Sequence, residues 1–147
     1  MTLDDIALTI IVEVASLYPK RGANSTTEAL IAAGTLALGR EPCKAYPGWG
    51  ILTPWNCPGT ETPASPEAQS GWIVGRISQE HGILTYHNSR KVMSPVNGES
   101  VGDDLYIGQK IRLWPNHACV AGASFGWYLI VDGSDEIIDV WVRWRGW

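Results

Sequence analysis

The amino-acid sequence predicts a mostly β domain: a single folded sheet or a small β-barrel with one or two short helices. Three observations carry that expectation. Short runs rich in β-branched and aromatic residues recur along the chain, bounded by Gly, Pro and Asp turns. Helix-forming Ala and Leu are concentrated in one stretch, Ser25 to Arg40. No internal repeat or linker divides the 147 residues, so residues 1–147 are read as one domain, large enough for a core.

Taken in order, Leu8 to Val14 is a β-branched strand, ended by Tyr18-Pro19 and Gly22. Ser25 to Arg40 has two readings. Ser25-x-x-Glu28 has the form of a capping box for a helix, which Gly34 would weaken. A short strand at Ala29 to Ala32, a turn at Gly34 and a helical turn after it fits as well. Gly39 to Glu67 is rich in Gly and Pro and is expected to be irregular surface structure. Gly71–Ile77 and Gly82–Tyr86 flank the polar turn Ser78-Gln79-Glu80-His81 and predict a hairpin. A tight reversal at Ile107-Gly108-Gln109 leads into the strand Lys110–Trp114. A last hairpin pairs Trp127–Val131 with Ile137–Trp144. In its second arm, alternation of Ile138, Val140, Val142 and Trp144 with Asp139, Trp141 and Arg143 predicts one buried face and one mixed face.

Composition excludes several classes of function. Apolar residues make up 45% and charged residues 18%, the balance of a folded globular chain. A net charge of -4, with 11 scattered Lys and Arg, argues against nucleic acid as a partner. No apolar run reaches the roughly 18 residues of a membrane-spanning helix. Asp4 and Asp5 stand where a secretory signal would be basic, and three cysteines (Cys43, Cys57, Cys119) fit a reducing compartment, so a cytoplasmic location is expected. The 8 Trp against 1 Phe either fill core and sheet surface or form aromatic platforms for a ligand or partner.

The chemically richest segment is Pro115-Asn116-His117-Ala118-Cys119. In an extended backbone residues i and i+2 share a side, so His117 and Cys119 would face one ion together. Imidazole and thiolate are a donor pair that zinc favours. Spacing alone leaves the alternative of a buried free thiol beside a hydrogen-bonded turn histidine. Glu80 and His81 either orient a ring or substrate group or cap their turn. Asn116 is expected to fix the loop through backbone groups. His87 is assigned no role, Arg145 a salt bridge in the sheet, and no residue a catalytic one.

Together, Glu80-His81-Gly82, the Gly108 turn, Pro115-Asn116-His117-Ala118-Cys119 and Trp141-x-x-x-Arg145-Gly146 resemble one family. This is the C-terminal β-domain of the D-serine dehydratase and D-threonine aldolase group, pyridoxal-phosphate enzymes of the alanine racemase-like fold. Ala32-Ala33-Gly34 is similar to that family's Asp-Ala-Gly segment, with Ala32 in place of the acid. The likeness covers most of the chain and is best supported over residues 71–147. It implies an alanine racemase C-terminal-domain-like fold and a zinc ion held by His117 and Cys119. The ion would polarise the hydroxyl of D-serine or a related D-β-hydroxy amino acid, giving pyruvate and ammonia. It also implies pyridoxal phosphate bound by a (β/α)8 barrel for which this chain has no strand–helix alternation. The isolated chain is therefore expected to be inactive, and to pair with a barrel domain or as a homodimer. The aldolase branch of the family (retro-aldol cleavage of D-threonine), or a non-catalytic interaction module derived from the domain, remains open. A domain separated from its barrel is expected to bare an apolar patch.

Overall fold

The computed structural model describes residues 5–57, 70–88 and 105–144. Among the described residues, eight strands and two short α-helices follow in order: β1 (Ile10–Tyr18), β2 (Glu28–Ile31), α1 (Thr35–Leu38), β3 (Gly50–Leu52), β4 (Ser70–Ile77), β5 (Gly82–Asn88), β6 (Lys110–Pro115), α2 (Ala118–Ala123), β7 (Trp127–Val131) and β8 (Ile137–Val142). The first six strands close into a barrel in the order β1-β2-β5-β4-β3-β6, and β7 and β8 form a separate two-stranded sheet. The mostly β expectation therefore holds, in its barrel form.

Alternation builds the barrel core. In β1, Ile10, Val12 and Val14 turn inward while Ile11, Glu13 and Ala15 face out. Val14, Ala29, Ile31, Val74, Leu84, Ile111 and Leu113 have no solvent exposure. They belong to one contiguous apolar cluster with Trp72 and Leu52. Closure depends on β6. Its Ile111 and Leu113 pair with Val12 and Ile10 of β1, and its Leu113 to Pro115 pair with Leu52 to Gly50 of β3. With every neighbour antiparallel, closure leaves the barrel no free edge.

The ambiguous stretch resolves as strand, turn and helical turn. Glu28–Ile31 pairs with both β1 and β5, and four residues of helix follow Gly34. Tertiary pairing on both edges overrides local helix propensity here. The first strand runs four residues past the expected Val14, to Tyr18, with an irregularity between Val14 and Ser16. Gly108 takes the left-handed φ of +85° that the expected reversal requires.

Two expectations need correction. The Gly- and Pro-rich stretch from Gly39 is not all irregular surface, because Gly50–Leu52 is a fully buried strand that completes the barrel. Three residues are too few to show a period, and long-range pairing places them. The last hairpin has no buried face on β8, since all its residues are exposed. The register sets Trp127 opposite Val142 and Leu129 opposite Val140, which makes one apolar face, yet these side chains are 50–77% exposed. The hairpin meets the rest of the domain where the Trp55 indole N–H donates to Asp135 (2.6 Å), where Arg143 donates to the Gly122 carbonyl of α2, and where Tyr128 lies against Gly122. The second arm was expected to reach Trp144 and ends at Val142. Arg145 and Gly146 lie outside the described residues.

The tryptophans differ sharply in burial. Trp72 lies in the core, and its ring meets Tyr86 edge-on, whereas Trp127, Trp141 and Trp144 are exposed.

Truncating Leu113, wholly buried where β6 joins β1 and β3, should cost about 2–5 kcal/mol of unfolding free energy. Urea unfolding of Leu113→Ala should show this as a lower midpoint with an unchanged slope.

Candidate metal centre at the end of strand β6

Strand β6 delivers the Pro-Asn-His-Ala-Cys segment to one end of the barrel. Pro115 is still paired, with Gly50. His117 keeps an extended backbone (φ −142°, ψ 103°) and is the residue before α2, so Cys119 falls in the first turn of that helix. The shared-side geometry of a continuous strand therefore does not apply to the pair. The pair sits instead on a strand-to-helix corner, closed when the Ala121 N–H donates to the His117 carbonyl at 3.0 Å. Both side chains are exposed, and Cys119 is a free thiol, against the alternative of a buried one. Helix α2 seats itself through Ala121 and Gly122, which are buried, and leaves its opening turn to solvent.

Asn116 is the anchor of this corner. Its amide nitrogen donates to the carbonyls of Glu41 and Gly48, each at 2.8 Å, and its amide oxygen accepts from the Tyr46 hydroxyl. The expected loop-fixing role is thus met, with a side-chain partner added. Burial raises the Tyr46 phenol above its ordinary range, helped by the neighbouring Cys43. It therefore stays protonated and keeps donating.

Glu80 and His81 sit on the exposed turn between β4 and β5. That turn is capped by Ser78, whose hydroxyl donates to the His81 carbonyl at 3.1 Å and accepts from the His81 N–H at 3.2 Å. The Glu80 and His81 side chains do not do the capping. The turn docks on α1: the N–H groups of Thr35 and Leu36 donate to the carbonyls of Ser78 and Gln79 at 2.8 and 3.1 Å. A Cβ at Gly34 would come within 2.4 Å of the Gln79 carbonyl oxygen, and one at Gly82 within 2.7 Å of the Ala33 carbonyl oxygen. The Ala-Gly and Glu-His-Gly segments are therefore two sides of one close backbone contact. An open groove lined by Leu30, Arg76, Ile77, Ser78, His81 and Ile83 lies beside it.

Among the described residues, no three His, Cys, Asp or Glu groups are arranged to hold a metal ion. His117 and Cys119 supply two donors of suitable chemistry. Their Cα atoms, two residues apart, are within about 7.6 Å of each other, a span that imidazole and thiolate side chains can bridge through one ion. Tyr46, Gly39 and Gly48 were missed at the level of sequence. The aromatic residue inside Ala45-Tyr46-Pro47-Gly48 was the available signal.

The fold and site thus define a closed antiparallel β-barrel domain with a His-x-Cys corner after β6 and a Glu-His-Gly turn docked on α1. The comparisons make the family specific. Residues 7–131 match the family described as "Putative serine dehydratase domain", and the chain belongs to it. It is 34% identical over 143 residues to the D-serine dehydratase of Schizosaccharomyces pombe, covering 97% of this chain and 28% of the relative. It is 26% identical over 148 residues to the D-threo-3-hydroxyaspartate dehydratase of Delftia sp., covering 98% of this chain and 33% of that one. Solved structures of D-threo-3-hydroxyaspartate dehydratase superpose with a TM-score of 0.66 at 25% identity over 98% of this chain. One is a cysteine-to-alanine mutant in the metal-free form and the other a histidine-to-alanine mutant. This chain covers 34% and 33% of them. The chain thus spans about a third of the length of the relatives it matches.

The raised Tyr46 pKa has a testable sign. A group that holds its proton more tightly when folded stabilises the fold fully below its unfolded pKa, about 10 for tyrosine, and that contribution fades as pH rises. Urea unfolding between about pH 8 and pH 11 should show an alkaline loss of stability that Tyr46→Phe makes shallower.

Proposed function

We propose that this chain is the metal-holding β-domain of a dehydratase acting on a D-β-hydroxy amino acid, D-serine or a close relative, with His117 and Cys119 as its protein ligands. One coincidence carries the reading. The histidine and cysteine mutated in the superposing dehydratase structures stand two positions apart, as His117 and Cys119 do, and the cysteine mutant is the metal-free form. The exposed corner at the end of β6 fits that donor set. Zinc fits these ligands, and when bound it would supply Lewis acidity toward a substrate hydroxyl. His117 and Cys119 would orient the ion toward solvent, and Asn116 would hold their backbone still. Two protein ligands are fewer than the usual three, so water or substrate would complete the shell. The dehydratase branch is favoured over the aldolase one because the matched relatives bear dehydratase names.

Pyridoxal phosphate does not fit the described residues in the same way. It needs an enclosed lysine, and Lys20, Lys44 and Lys110 are exposed. The cofactor is therefore assigned to the larger part of the complete enzyme, for which these 147 residues have no counterpart. The apolar face of β7 and β8 supports that division, since Trp127, Leu129, Val140 and Val142 call for cover. We assign that cover to a barrel domain or a second subunit. The soluble, cytoplasmic setting of such an enzyme is part of the proposal.

Purified protein should hold about one zinc per chain, measured by atomic emission after dialysis, and Cys119→Ala or His117→Ala should lower that by about tenfold or more. Unchanged metal content in both variants would remove the pair from the site. With added pyridoxal phosphate and D-serine the chain alone should release no pyruvate above background, as followed by a coupled lactate dehydrogenase assay.

A further inference from the structure

The corner bearing His117 and Cys119 is gripped on both flanks by a single upstream segment, residues 39–48. On one flank Asn116 bonds Tyr46, Glu41 and Gly48 at once. On the other, Val120 lies against Gly39 so closely that a Cβ there would be 2.6 Å from the valine Cγ1. Gly39 also has a φ of +75°, so it is suited to this position twice over. The segment is itself seated on the barrel wall. Tyr46 is buried with Ile51 and Ile73 in a cluster apart from the main core, with Trp114 of β6 packed against it. The Trp49 N–H then donates to the Val74 carbonyl at 3.0 Å.

The Tyr46 hydroxyl is the informative atom. A phenylalanine would fill the same apolar seat, and burying a hydroxyl is unfavourable unless it is bonded. Its bond goes to the residue beside His117. An exposed corner carrying two ligands has little packing of its own, so ordering it would otherwise be charged to metal binding.

We propose that residues 39–48 are a positioning clamp for the metal-ligand corner, with Tyr46–Asn116 and Gly39–Val120 as its two jaws. Tyr46 then acts through Asn116 without touching the ion. The affinity part of this proposal rests on His117 and Cys119 being ligands; the ordering part does not.

Two measurements on the whole chain test it. Amide hydrogen exchange in the metal-free protein compares Ala121, whose N–H donates to the His117 carbonyl, with Leu113 in the barrel core. Cobalt(II) titration follows the thiolate-to-cobalt absorption. In Tyr46→Phe, Ala121 exchange should rise about tenfold relative to Leu113, and cobalt affinity should fall about tenfold with the same end-point spectrum. Asn116→Ala should do at least as much. Tyr46→Phe, which keeps the buried ring, decides the matter if Asn116→Ala does not fold. Unchanged relative exchange in Tyr46→Phe overturns the clamp. Faster exchange with unchanged cobalt affinity overturns its link to the metal. A wild-type chain with no thiolate-to-cobalt band overturns the ligand reading and the affinity part together, while exchange still decides the ordering part.

Discussion

Strand β6 is paired along both edges, to β1 on one side and β3 on the other, and the barrel exists as a closed object because of it. Its inward residues, Ile111 and Leu113, are completely buried, so the strand cannot slide by one residue without turning apolar groups to solvent. That constraint reaches the His117–Cys119 segment directly. The residues that follow Pro115 leave a strand whose register is locked, and the corner at His117 inherits a defined position and direction. A histidine and cysteine on a free loop would have no such reference.

The barrel wall is also what makes the corner addressable from elsewhere in the chain. Ile51 and Ile73 are paired across β3 and β4 and join Tyr46 in a small outer cluster. Tyr46 meets Asn116 across 70 residues of sequence and Glu41 meets it across 75. At the barrel's other motif, backbone contacts between the turn at 78–81 and α1 bring two Gly-containing segments together. Helix α1 then runs on to Gly39, which abuts Val120 of α2. A four-residue helix thus lies between the Glu-His-Gly turn and the corner at His117 and Cys119.

The second sheet shows what the barrel alone does not complete. A two-stranded hairpin is marginally stable in water, and this one carries a wholly apolar face with no cover among the described residues. Under the proposal made above, this is the face that a barrel domain or a second subunit would cover. That agrees with a chain that aligns along nearly its whole length with about a third of each relative.

Much of the architecture was legible in the residues themselves. The runs at 71–77, 82–86, 110–114 and 127–131 each became a strand, because β-branched and aromatic residues gathered between turn residues are a local signal. The histidine and cysteine, two residues apart, were equally plain, as was the turn at Gly108. Tertiary structure alone decided the rest. Gly50–Leu52 became a strand through pairing with β4 and β6, β8 was left uncovered, and Cys119 moved from an expected strand into a helical turn. Tyr46 was drawn to Asn116 in the same way. Each of these outcomes depends on groups far apart in the chain meeting in space, and a linear pattern records which atoms are present without recording which of them will be neighbours.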